Sequence, residues 1–319
     1  MERVALRFPM TEFFERAAIW IALLVLFTIA ASISSGFLRP IYLGNLLAQL
    51  SAVGISAVGV TFVMILGGID LSVGAIVSLS LVLCAVQMNG QIANLPWSIG
   101  VALLVGTLIG AFNGVFAAFT RVSPFILTLG TGLAVYGATQ IYSGGTVRGV
   151  VAPEFREVLN HRVDGVLPLL AIVFLVIAVV AGQVLKFSRY GRMLYLVGSN
   201  PRAARLAGLP VARLTIITYT LSGLLSAVAG IILLARSGVS STLVGRGLEF
   251  SVLAAVMLGG TTFEGGTGGV SGTVAGLLVL FISFNLVNIA GLNFNAQLII
   301  RGVIIIAAAG LYGFLRRRG

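Results

Sequence analysis

The sequence is poor in reactive and charged side chains. It has one cysteine, one histidine and one lysine, and only 9% of its 319 residues are charged, against about 25% in soluble domains. A single cysteine, Cys84, leaves no partner for an intrachain disulfide and, inside an apolar run, is expected to pack as a small hydrophobe. The lone His161 stands in a polar loop without the three or four ligands that a metal centre needs, so no metal site and no cofactor is expected. The only lysine, Lys186, is followed by Phe187. A Walker A phosphate loop requires Lys followed by Ser or Thr, so the chain lacks that motif and is not expected to be an enzyme that hydrolyses ATP itself. Acids are also scarce: Asp70 is alone between Glu15 and Glu154.

What fills the chain is apolar. Hydrophobic residues make up 58% of it and the mean hydropathy is +1.10, more apolar surface than a water-soluble fold of this size can hide. The formal net charge of +11 does not indicate nucleic acid, because the arginines sit in short gaps between apolar runs, where the positive-inside rule puts them. The expected fold class is therefore all-α: one polytopic transmembrane domain over 1–319, facing membrane lipid, with about ten spans. The charge-free runs place them at 17–38, 41–68, two within 71–120 separated by the polar stretch 87–96, 123–143, 165–185, 214–235, 250–263 and 271–290, and a tenth lies at 296–315 with Arg301 near its start, where it could snorkel to an interface. The segment 250–263 is short and spans only if it recruits residues from about Gly245. Ala30-Ala31-Ser32 resembles a signal cleavage site, but the many runs that follow make 17–38 the first span.

Basic residues orient the bundle. The loop 186–213 carries Lys186, Arg189, Arg192, Arg202, Arg205 and Arg213 with no acid, and the tail ends in Arg316-Arg317-Arg318. Both belong on the cytoplasmic side. Parity then puts both termini inside and the loop 144–164, whose charges balance, outside.

Three stretches stand out. GGIDLSVG, Gly67 to Gly74, sets Asp70 among glycines at the junction of two spans. Paired glycines there suggest a helix break, and Gly259-Gly260 followed by Glu264 is a faint echo of it. Stripes at Gly106, Gly110 and Gly114 and at Gly268, Gly272 and Gly276 suit close helix packing in lipid. In the basic loop, Asn200 is a good N-cap, Pro201 fits the first helical position and Gly208 suits a left-handed stop. A two-turn helix is expected between them, with Ala203, Ala204 and Ala207 as small faces for docking in a protein groove.

GGIDLSVG, YGRMLYLVGSNPRAARLAGL and LAAVMLGGTTFEGGTGGVSGTVAG, in that order, resemble the membrane permease of ribose-type ABC sugar importers over nearly the whole chain. The resemblance implies a permease in the bacterial inner membrane that forms a homo- or heterodimer with a second permease subunit. It further implies a cytoplasmic ABC ATPase as motor and a periplasmic sugar-binding protein as donor. Gly191, Gly198, Asn200, Ala203, Ala204 and Gly208 then fall in the ATPase-coupling loop. Gly67, Gly68, Asp70 and Gly74 form a hinge or gate. Asp70 is open to three roles: capping the following helix, gating near the motor face, or touching sugar. Few polar groups punctuate the spans; Asn113, Gln140, Asn285 and Asn288 are candidates for a path taken by a neutral, hydroxyl-rich solute. The alternative is a self-contained secondary transporter or channel, which calls for ionisable residues inside the spans.

Overall fold

The computed structural model describes residues 10–289 together with positions 291, 299, 302 and 303, with side chains from Ile19 onward. The expected tenth span falls almost wholly outside the described residues, and so does the arginine tail. The helices are α1 (Met10–Ile33), α2 (Pro40–Ile65), α3 (Val73–Met88), α4 (Leu95–Phe119), α5 (Pro124–Ser143), α6 (Pro153–Asn160), α7 (Leu169–Phe187), α8 (Arg189–Ser199), α9 (Pro201–Leu206), α10 (Val211–Ser237), α11 (Leu248–Leu258) and α12 (Val270–Ile289). A two-residue pair of strands, Arg162–Val163 and Leu167–Pro168, is the one sheet among the described residues.

Six helical stretches are long and apolar enough to cross a bilayer, while α3, α11 and the apolar part of α1 are shorter. The 11 residues of α11 rise only about 16 Å, against ~30 Å of hydrocarbon. The region 250–263, left conditional on residues from about Gly245, holds a short helix that begins at Leu248, and 238–247 before it are not helical. Two elements were not expected. The loop 144–164 contains α6, pinned by Asn160 Nδ2 donating to the Ala235 carbonyl at 2.9 Å and by the buried Phe155. The loop 186–213 contains α8, whose N-cap Ser188 accepts from the Gly191 N–H at 3.0 Å.

Helix α10 is the central post, packed on α2, α3 and above all α4. The glycine stripe explains that contact. A Cβ at Gly110 would meet the Tyr219 carbonyl, one at Gly114 the Ile216 Cα at 2.8 Å, and one at Gly106 the Ala227 methyl at 2.6 Å; Gly223 of α10 answers from the other side. Lipid supplies no hydrophobic drive between helices, so dispersion at such close approach holds them together. The second stripe works in the same way: Gly272 and Gly276 sit against the backbone of α11 at Gly259 and Ala255.

Candidate functional site

The stretch 66–72 between α2 and α3 is not helical, and it lies inside the bundle. Leu71, Asp70 and Ser72 are buried, with Asp70 at 0% exposure. Its partner Ser222 lies about 16 Å along α10 from Val211 at ~1.5 Å per residue, well within that helix. The junction is therefore covered by protein on the side of α10, while Gly67 itself adjoins Gly265 and, through it, Gly198 of the basic loop. Buried non-helical backbone survives only when protein groups satisfy it, and here neighbouring helices do so. Tyr219 Oη of α10 donates to the Ile69 carbonyl at 3.2 Å. Thr128 Oγ1 of α5 accepts from the Leu71 N–H at 3.0 Å. Asp70 Oδ1 accepts from the Ser72 N–H at 3.0 Å and the Ser72 hydroxyl at 2.6 Å, and Oδ2 accepts from the Ser222 hydroxyl at 2.8 Å. Asn113 Nδ2 of α4 donates to the same Ser72 oxygen at 2.9 Å.

Asp70 therefore is not the N-cap of α3. That position belongs to Ser72, whose side chain makes no capping bond; Asp70 instead ties the unwound backbone to α10. Its glycines have separate duties. Gly67 takes φ +88°, a conformation open to glycine at no steric cost. A side chain on Gly68 would strike the Tyr219 hydroxyl, and one on Gly74 would strike the Glu249 carboxylate and the Gly245 carbonyl.

The three stretches singled out in the sequence meet at one backbone junction. The Gly266 N–H donates to the Ile65 carbonyl at 2.8 Å, joining the end of α2 to the turn after α11. Gly198, near the end of α8, lies against both: its Cβ would overlap the Ile65 carbonyl and approach the Gly266 nitrogen at 2.6 Å. Gly265 closes the triangle, 2.9 Å from the Gly198 carbonyl and 2.8 Å from the Gly67 nitrogen by the same measure. Tyr195 of α8 adds a bond from its hydroxyl to the Gly268 carbonyl at 2.8 Å. In the echo between Gly67-Gly68 and Gly259-Gly260 the left-handed glycine is the first of one pair, Gly67, and the second of the other, Gly260 at φ +83°.

From this junction the chain turns into α9. Asn200 accepts from the N–H groups of Arg202 and Ala203 at 3.1 and 3.0 Å, Pro201 opens the helix, and Gly208 at φ +76° follows its end. Its faces differ from expectation. Ala204 is turned inward, 5% exposed and part of the core, whereas Ala203, Ala207 and Leu206 face out, Leu206 at 91%. Gly191 is buried against the Leu185 backbone. Next to it, Tyr190 shares a 2.8 Å hydrogen bond with Thr218, and burial pushes its phenol up to about 12.

The four expected path residues do not come together. Asn113 belongs to the Asp70 network. Asn285 accepts from the Tyr42 hydroxyl at 3.1 Å and donates to the Phe281 carbonyl at 2.8 Å, at the other end of α2 from the Gly67 break. Asn288 is exposed on the last turn of α12. Gln140 alone joins a further polar cluster, with Thr242 Oγ1 donating to its Oε1 at 3.3 Å. Near it stands Glu249, which a search for charge-free runs passes over because it lies one residue ahead of the run 250–263. Among the described residues no group of His, Cys, Asp and Glu has the makings of a metal site.

Comparison with known proteins gives this arrangement a family. Residues 42–309 match the family model described as branched-chain amino acid transport system / permease component. The ribose import permease protein of Escherichia coli (strain K12) is 38% identical over 295 residues, covering 90% of this chain and 90% of that one. The ribose import permease protein of Bacillus subtilis (strain 168) is 33% identical over 298 residues, 91% and 90% of the two chains. The D-allose transport system permease protein of E. coli (strain K12) is 31% identical over 306 residues, 95% and 93%. No solved structure matches the chain. With its helical polytopic bundle and a match that runs nearly end to end, the chain belongs to the branched-chain amino acid transport system / permease component family, on the side of the ribose-type permeases.

Proposed function

We propose that the chain is the membrane-spanning permease subunit of an ABC importer that carries a monosaccharide or related neutral polyol across the bacterial inner membrane. Its partners in this reading are a cytoplasmic ABC ATPase, a periplasmic sugar-binding protein and a second permease subunit, the same chain or a homologue. The names of the relatives, which import ribose, galactose and allose, support the substrate class. Ten spans, with the short α11 and its flanking non-helical segments counted together as one crossing, and both termini cytoplasmic complete the topology.

The observation that carries the reading is the placement of α9. It is short, capped and exposed, ends on an outward leucine, and is joined through Gly198 to the breaks after α2 and α11. A motor that pushes on Ala203, Leu206 and Ala207 acts directly on both breaks. Gly67, Gly68, Asp70 and Gly74 are then the hinge through which that push reaches the bundle, and Gly191, Gly198, Asn200, Ala204 and Gly208 shape the lever rather than touch the motor. Co-purification tests this. The tagged wild type retains its ATPase in mild detergent, and Leu206→Arg releases it while the permease remains in the membrane at normal yield. A wild type that brings down no ATPase refutes the reading.

The buried carboxylate of Asp70 favours a second reading, a secondary transporter that uses the acid as a proton relay. Uptake would then collapse with a protonophore and survive ATP depletion.

A further inference from the structure

The first turns of α3 and α11 meet head to head inside the bundle. Gly74 and Glu249 are each the second residue of their helix, and a Cβ on Gly74 would run into the Glu249 Oε2. On the other side Gly245 lies against the Gly74 carbonyl, and its N–H donates to Ser78 Oγ at 3.1 Å. The two helices then diverge, α3 toward the α6 end of the bundle and α11 toward the junction with Gly198. One stripe of α5 runs past the meeting point. Thr128 and Gly132 line the unwound strand at Ile69 to Ser72, Tyr136 lies beside Ser78 and the Glu249 charge, and Gln140 accepts from Thr242.

This cluster has unused hydrogen-bonding capacity. Glu249 Oε1 accepts one long bond, from the Gly247 N–H at 3.3 Å, while Oε2 is buried without a hydrogen-bond partner. The Tyr136 hydroxyl is likewise buried and has no partner at hydrogen-bonding geometry. An unpartnered carboxylate oxygen buried in protein is costly, and a packing role for a helix-start acid does not require a phenol beside it. Gln140 is exposed and Tyr136 and Glu249 are half-buried, whereas the Tyr136 hydroxyl and Glu249 Oε2 themselves are closed off, so α5 must shift for a solute to meet them.

We infer that Glu249, Tyr136 and Gln140 form the recognition point for the sugar in its passage. The carboxylate accepts hydrogen bonds from ring hydroxyls, and the phenol and amide exchange bonds with their neighbours. The inference rests on the sugar-importer reading and specifies where that importer selects its cargo. Neutral polyols fit because the groups offered are one acid with spare acceptor capacity and two neutral donor–acceptors. A site built to bond a hydroxyl rejects the analogue that lacks it.

The test is uptake into proteoliposomes holding the permease, its ATPase and its binding protein, the last saturated in turn with labelled D-ribose, D-galactose, D-allose and their monodeoxy forms. For a sugar that wild type imports, Glu249→Gln and Tyr136→Phe are expected to slow the parent at least tenfold and bring its rate within about twofold of one deoxy form. ATPase co-purification stays at the wild-type level. Parent and all deoxy forms falling by the same factor, or no change in either variant, overturns the site. Should Glu249→Gln fail to assemble, Tyr136→Phe, which removes only a hydroxyl beside Ser78, decides alone. If wild type imports none of the three sugars, the sugar-importer reading fails, and the site falls with it.

Discussion

Replacing Asp70 probes how the bundle holds its unwound segment. In Asp70→Ala the carboxylate disappears and three donors lose their acceptor: the Ser72 N–H, the Ser72 hydroxyl and the Ser222 hydroxyl, now bonded at 3.0, 2.6 and 2.8 Å. Each buried donor left unpaired costs about 1–3 kcal/mol. The hydroxyls can rotate toward helix carbonyls, so the loss is about 3–5 kcal/mol rather than the full sum. Asp70→Asn is the control. Its amide oxygen still serves Ser72, and its NH2 can donate to Ser222 Oγ, which accepts as readily as it donates; the expected loss is below about 1.5 kcal/mol. The assay is built into the chain. Cys84 is the single cysteine and is fully buried, so a thiol-reactive fluorophore reports unfolding of the detergent-solubilised protein as it is heated. The order of midpoints is wild type, Asn, then Ala well below. An Ala variant that melts with wild type would refute the claim that this carboxylate pins the break.

Other expectations follow from the same contacts. Gly110→Leu drives a side chain into the Tyr219 carbonyl and Gly223; overpacking costs about 1–3 kcal/mol or more, seen as early Cys84 labelling. Gly198→Val should leave ATPase binding intact, since α9 keeps its Asn200 cap, yet abolish uptake by prising α8 from Ile65 and Gly266; wild-type uptake would sever the junction from coupling. Asn200→Ala removes a cap worth about 1 kcal/mol and should weaken ATPase co-purification without changing the melting midpoint of the bundle.

Much of this fold is written in composition and local chemistry. The apolar runs mark the long helices because a bilayer imposes a length on them, and Asn200, Pro201 and Gly208 delimit α9 because capping is local. The stripe at Gly106, Gly110 and Gly114 announces close packing, although its partner, Gly223 on α10, depends on tertiary structure. The errors share a cause. Ala204 reads as a docking residue because helical spacing does not say which face the bundle takes. Asp70 reads as a cap because a run of apolar residues gives no sign that 66–72 is unwound and buried against α10. The satisfiers of that backbone, Thr128, Tyr219 and Ser222, are 57, 150 and 152 residues from their partners in sequence and carry no local signal. Glu249 escapes notice for a related reason: it stands just ahead of the charge-free run 250–263, and nothing in that run says that the start of its helix is packed against α3.

The central claim is that this permease imports a sugar by means of an ATPase acting through α9. The most direct measurement is uptake of labelled D-ribose, D-galactose and D-allose into proteoliposomes containing the permease, the neighbouring ATPase and the binding protein, with and without ATP and with a protonophore present throughout. The account predicts accumulation of at least one of the three sugars that requires ATP, ignores the protonophore and is lost in Leu206→Arg. Accumulation that proceeds without ATP, or persists undiminished in Leu206→Arg, would contradict it.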